Sequence, residues 1–203
     1  MKKLLFLFIC IIFGVIVGTK FLGAKDTPPK ALPPQDKKVV SSATSNQVGS
    51  QTTDGIVPTK LSIPKLGVTA DVESVGMDSQ GRMDIPKDDF DVAWYHLGYK
   101  PGTMGSAVID GHFDRASGAP AVFYNLNKLK SGDKILVSDN AGHTLTFVVT
   151  DQELYPFNDF PLQKVFNSTD QPRLNLITCD GVWNSSAHNY SQRLVIYATL
   201  QPS

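Results

Sequence analysis

The chain has 203 residues, 41% of them hydrophobic and 19% charged, which excludes a wholly disordered, collagen-like or coiled-coil protein and points to one globular domain. Basic and acidic residues balance at 19 each, but residues 1–60 carry a net +5 and residues 61–203 a net −5. The part able to fold therefore lacks the basic footprint of a nucleic-acid binder.

From the N-terminus, Met1-Lys2-Lys3 precedes an uncharged apolar run from Leu4 to Gly18, ended by Thr19 and Lys20. Its 15 residues make about 22 Å of helix, short of a hydrocarbon core roughly 30 Å thick unless Thr19 to Leu22 join it and Lys20 snorkels. A retained anchor and a cleaved signal peptide both fit. The small-x-small cleavage pattern is poor, because Leu22 takes one of the small positions before Ala24, and this favours the anchor. Residues 1–24 are thus expected to be an N-terminal membrane segment. Lys2 and Lys3 would hold the N-terminus in the cytoplasm and send the bulk of the chain outside as a single-pass protein. Cys10 lies inside the run, with Phe8 and Ile9 where a lipidation site would carry small residues, so it reads as an apolar helix residue. Residues 25–57 hold Pro28, Pro29, Pro33 and Pro34 with many Ser and Thr and no aromatic residue. Such a stretch buries too little apolar surface to offset its chain entropy and is expected to be a disordered tether. Residues 58–203 remain as the folded domain.

Within that domain the apolar stretches are short, rich in Val, Ile, Thr and aromatics, and separated by Gly, Pro, Asn and Asp. This pattern predicts strands at Lys60–Ile63, Val68–Val75, Val92–Tyr95, Ser106–Gly111, Lys134–Ser138, Thr144–Leu154, Leu174–Cys179 and Leu194–Leu200. Asp139-Asn-Ala-Gly142 reads as a hairpin turn. Only Pro120–Leu129 and Phe160–Phe166 look helical, and both are short. The expected class is all-β, as a closed barrel or a sandwich, arrangements that manage exposed edges.

Three residues stand out for chemistry: His112 after SAVIDG, Cys179 closing LNLIT, and Arg193 opening LVIYATL. If the last two strands are antiparallel neighbours, Cys179 and Arg193 share one rim. Two cysteines make no disulfide framework, so Cys179 is expected to be a free thiol. A cysteine attacks as its thiolate and needs a base or a positive neighbour, roles open to His112 and Arg193. A guanidinium can also stabilise an oxyanion without losing its charge. The bland alternative is a buried, inert thiol.

Gly111-His112-Phe-Asp114, Leu176-Ile-Thr-Cys179 and Arg193-Leu-Val-Ile-Tyr-Ala198, in this order, resemble the sortase family of cysteine transpeptidases. The Ile63-Pro64 opening, Ala93-Trp94-Tyr95 with Pro101-Gly102, and Tyr155-Pro156 look like its class F branch, although Ser191 stands where class F members often carry Arg. The resemblance covers about Pro58 to Leu200 and implies a closed eight-stranded β-barrel. It implies Cys179 as nucleophile, His112 as general acid/base and Arg193 as oxyanion or substrate-positioning residue. It also implies cleavage of an LPxTG-type sorting signal on secreted proteins, a thioacyl-enzyme, transfer to a cell-wall precursor amine, and hydrolysis when no amine is present. No cofactor and no metal are expected. Zinc at Cys179 and His188 would lack further ligands, and Asp84, Asp88, Asp89 and Asp91, although some sortases use calcium, lack EF-hand spacing and read as a solvated acidic loop.

Other residues carry two readings each. His188 is the rival base. Asp114 either orients His112 or serves a turn, and Trp183 and Tyr190 either meet substrate or pack beneath their loop. Thr178 should face away from Cys179 by strand alternation and be structural or substrate-shaping. A non-catalytic exported β-domain binding wall or protein partners is the main rival function; a cysteine hydrolase is third, because known wall peptidases place Cys before His.

Overall fold

The computed structural model describes residues 54–202. The expected membrane segment and most of the tether lie outside these residues; among the described residues no helix is long and apolar enough to cross a membrane. Ordered backbone precedes Pro58: the Ile56 N–H donates to the Pro101 carbonyl at 2.9 Å and its side chain packs on the core.

The strands are β1 (Lys60–Ile63), β2 (Val68–Val75), β3 (Val92–Tyr95), β4 (Gly105–Gly111), β5 (Lys134–Ser138), β6 (Thr144–Pro156), β7 (Pro172–Asn184) and β8 (Asn189–Leu200). They close into a barrel in the order β1-β2-β3-β4-β7-β8-β6-β5, and β5 pairs back onto β1. Two neighbours are parallel, β2 with β3 and β4 with β7. The β5–β6 hairpin turns where the sequence places it. Asp139 Oδ1 accepts the Ala141 and His143 N–H groups, and Gly142 takes φ 88°.

Alternation sorts the side chains into two cores. Leu61, Ile63, Val92, Ile109, Phe147, Leu174, Leu176, Leu194 and Ile196 fill the barrel, with Phe123, Leu126 and Leu129 packed against them. Outside the barrel, Val108 of β4, Ile177 of β7, and Val195 and Tyr197 of β8 form a second cluster with Val165. Val165 sits on α1 (Leu162–Phe166), the one α-helix among the described residues. Stretches of β4, β7 and β8 are thus covered on both faces, which explains their continuous apolar runs.

Two expectations differ from the structure. Pro120–Leu129 is not a helix, and only Leu126–Lys128 forms a 3₁₀ turn. The N–H groups of Ala121, Val122 and Phe123 donate instead to Phe113, Asp89 and His112 carbonyls. The chain here runs alongside the segment after Gly111 rather than coiling on itself, so tertiary pairing overrides the local pattern. The second difference is length. β7 and β8 continue past Cys179 and Arg193 as a hairpin that pairs Trp183 with Tyr190 and Asn184 with Asn189.

Candidate active site

The barrel's register puts the three expected residues at the ends of three neighbouring strands. Asp110 pairs with Ile177 across the parallel β4–β7 ladder. The Thr178 hydroxyl donates to the Gly111 carbonyl at 2.8 Å, so Gly111 is level with Thr178. His112 follows directly after Gly111, past the last paired residue of β4, and Arg193 is the antiparallel partner of Cys179 on β8. The row His112–Cys179–Arg193 therefore crosses three neighbouring chain segments. Thr178 is buried, 1% exposed, and points into the barrel; Cys179 shares the outer face with Ile177. Thr178 is a structural tie, one of the two roles its alternation allowed.

The imidazole of His112 is fixed from an unexpected side. Its Nε2 lies 2.9 Å from the Pro86 carbonyl. That carbonyl can only accept, so Nε2 carries a proton and Nδ1 is the ring nitrogen left for another partner. The His112 carbonyl accepts the Phe123 N–H, which fixes the backbone as well. Asp114 is not the residue that orients this ring. Its Oδ2 instead accepts the Tyr190 hydroxyl at 2.5 Å, and this bond holds the Tyr190 phenol up at about 12.

Arg193 is held by the hairpin. Its Nη1 donates to the carbonyls of Gln192 at 2.8 Å and Tyr190 at 3.3 Å, and Nη2 to Asn189 Oδ1 at 2.7 Å. The guanidinium carbon lies 4.7 Å from the centre of the Phe157 ring. These contacts immobilise a permanent cation beside the strand position of Cys179.

Cys179 is a free, half-buried thiol. Burial pushes it up to about 11; Arg193 pulls the other way, and Asp110, Asp114 and Asp180 add to the rise. Burial and the three carboxylates thus outweigh the one guanidinium, so Arg193 alone does not hold the thiol down. The resting sulfur is protonated. Asp110 itself was not singled out by the sequence. Burial raises its carboxyl to about 7, against the pull of Arg193 and the Gly111 N–H. The signal was available: an acidic residue inside SAVIDG, two before His112, faces the same way as His112 in an extended chain.

The rival base is placed elsewhere. His188 lies in the turn of the hairpin with φ 47°, beyond the Asn184–Asn189 pair. Asn184 of that pair stands five positions along β7 from Cys179, about 15 Å at the rise of a strand. Its ring stacks edge-on near Trp183, with centroids 6.5 Å apart. Trp183 is half exposed and also contacts Tyr190, at 5.2 Å. Ser191 has a local duty: its Oγ accepts the Val182 N–H at 2.9 Å across the bulge at Gly181, whose φ is 85°. Asp84 and Asp88 accept the nearby N–H groups of Ile85 and Phe90. Among the described residues no His, Cys, Asp and Glu side chains group as metal ligands. A cavity of about 280 Å³ lies further along the outer face; Lys164, Glu153, Arg173 and Tyr197 line it, and none of the three row residues does.

Comparison with known proteins agrees with this architecture. No curated protein matches the chain. Among solved structures, sortase C-1 from Actinomyces oris superposes with TM-score 0.56 at 24% identity, over 73% of this chain and 77% of that one. Sortase A from Corynebacterium diphtheriae gives 0.53 at 21%, over 74% and 63%. The Clostridium perfringens sortase D5 transpeptidase gives 0.53 at 18%, over 70% and 78%. At these identities the likeness is one of fold, a closed eight-stranded barrel with almost no helix. The Sortase domain family matches residues 61–201, nearly the whole of the barrel, and the chain belongs to the sortase family.

Proposed function

We propose that the protein is a membrane-anchored sortase whose barrel faces the outside of the cell. It cleaves an LPxTG-type signal on secreted proteins and joins the released carboxyl end to an amine of a cell-wall precursor. What supports this reading is that His112, Cys179 and Arg193 stand at the ends of three adjacent strands, with Cys179 and Arg193 paired across β7 and β8. The anchoring rests on the Leu4–Gly18 run behind Lys2 and Lys3. The class F branch rests on Ile63-Pro64, Ala93-Trp94-Tyr95 and Tyr155-Pro156, while the solved neighbours described above are named as A, C and D types.

In this mechanism the Cys179 thiol starts protonated. Nδ1 of His112 takes the thiol proton as Sγ attacks the carbonyl carbon of the signal's Thr, and Arg193 stabilises the negative oxygen that forms. The imidazolium then protonates the departing amine, and the C–N bond breaks to leave a thioacyl-enzyme. An incoming amine gives its proton to His112 as it attacks, and Sγ leaves, taking that proton back from the imidazolium. Water in place of the amine gives hydrolysis, the expected side activity.

The test uses the full-length chain in detergent, a quenched LPxTG-type peptide and an amine acceptor, with products identified by mass spectrometry. Ligated product in wild type and none in Cys179→Ala is expected. Failure of the folded protein to cleave any peptide in a panel of sorting motifs would overturn the reading in favour of a non-catalytic binding domain.

A further inference from the structure

Tyr190 makes two kinds of contact that no other described residue of the hairpin combines. Its hydroxyl donates to Asp114, 76 positions away on the segment that carries His112. Its carbonyl accepts from Arg193 Nη1, and Asn189 Oδ1 accepts both the Tyr190 N–H at 2.9 Å and Arg193 Nη2. One half-buried residue is thus tied to the histidine segment by its side chain and to the arginine by its backbone. Aromatic packing supports the same link. The Tyr190 ring meets Phe113, the residue directly after His112, edge-on at 5.6 Å, and Phe113 lies 4.9 Å from Tyr124.

The link has a mechanical reason. Beyond Cys179 and Arg193 the hairpin is bulged at Gly181, and β6 follows it only as far as Gln192, with one further bond from the Phe157 N–H to the Ser191 carbonyl, so no neighbouring strand reaches Asn189 and Tyr190 except their own hairpin partner. Without a lateral tie, the guanidinium held by Asn189 and the Tyr190 carbonyl would follow the hairpin's movement. A charge-assisted bond at 2.5 Å is among the stronger single contacts available for this purpose.

We propose that the Tyr190–Asp114 hydrogen bond is a positioning clasp that holds the β7–β8 hairpin against the segment after His112, fixing the separation of His112 and Arg193 across Cys179. The proposal rests on the transpeptidase reading for its kinetic arm and stands apart from it in its spectroscopic arm. Tyr190 and Asp114 are positioning residues: they act through the placement of His112 and Arg193.

The test compares Tyr190→Phe, Asp114→Ala, Asp114→Asn and the double variant Tyr190→Phe/Asp114→Ala in the full-length chain. Thermal melts check that each is folded. For ligation, each of the first two should lower kcat about tenfold, roughly the loss of one charge-assisted bond's worth of positioning, with KM for the peptide nearly unchanged. The double variant should fall no further than either single one, and Asp114→Asn, which keeps an acceptor oxygen, should lose less than Asp114→Ala. Independently of any activity, the His112 ring resonances and Arg193 Nε–H signal should shift together in Tyr190→Phe and in Asp114→Ala. Additive kinetic losses, a change confined to KM, or unmoved His112 and Arg193 signals in folded variants would overturn the clasp. An inactive wild type with coupled spectral shifts would instead count against the transpeptidase reading and leave the clasp supported.

Discussion

Replacing Asp110 by Asn should make the protein more stable at pH 8 and leave it unchanged at pH 4. The carboxyl is raised from its ordinary 3.8 to about 7 because it is buried beside the second core, with Arg193 opposing the shift only in part. An acid whose folded value lies above its unfolded one binds more protons when folded, so stability falls as pH rises from about 4 to about 7 and is flat above. The interval amounts to about 4 kcal/mol if the group is wholly shielded. Asp110 keeps partial exposure, so solvent screening reduces this, and the expected gain in Asp110→Asn is about 2 kcal/mol at pH 8. For a domain of this size that is about 6 °C in Tm. Melts of both proteins at half-unit steps from pH 4 to pH 8 provide the assay, with the difference between the curves opening through the interval. A constant difference, or one that opens only below pH 4, refutes the burial argument. The same substitution removes one of the charges opposing the Cys179 thiolate, so its alkylation profile should move to lower pH.

Cys179 in the unliganded wild type should react with iodoacetamide more slowly than free cysteine at pH 7, and its rate should climb steadily up to about pH 11, where burial has pushed the thiol; a plateau near pH 7 would contradict this. Thr178→Val leaves the Gly111 carbonyl without its buried donor and should cost about 1–2 kcal/mol in denaturant unfolding. Gly111→Ala brings a methyl group to 2.5 Å from the Phe123 ring and should cost about 1–3 kcal/mol by the same measure, with His112 displaced and ligation slowed. Lys164→Met removes the cation that pairs with Glu153 and lies 4.8 Å from the Tyr197 ring centre; the loss should be no more than about 1 kcal/mol near neutrality. Because Lys164 holds the Glu153 carboxyl below its usual range, that difference should vanish as acid protonates Glu153.

The strands of the barrel were legible wherever one or both faces are apolar. β1, β2, β3 and β5 begin and end where the Val, Ile and Thr runs do, because a two-sided environment imposes the alternation that the sequence displays. The hairpin beyond Cys179 was not legible. Its residues from Asp180 to Gln192 are mostly polar, and it is held by ladder bonds, the Trp183–Tyr190 contact and the clasp, none of which writes a periodic pattern. The site divides in the same way. His112, Cys179 and Arg193 were found at the ends of apolar strands. The Pro86 carbonyl and the Tyr190–Asp114 bond were missed because each acts through a partner remote in the chain, whereas Asp110 was overlooked although it stands inside SAVIDG two residues before His112. The thiol's high value was missed for a related reason: residue type reveals charge but not depth.

The position of β8 sets the order in which this barrel can be completed. It follows the other strands in the chain, yet it lies between β6 and β7 and pairs with both along most of its length. Until it inserts, two long edges stand open, the barrel has a gap, and Arg193 has no place beside Cys179. Such distant pairings fold slowly and expose strand edges on the way. The closing of the fold and the assembly of the row are therefore a single event, and a chain stalled before it should hold an unassisted thiol on an incomplete sheet.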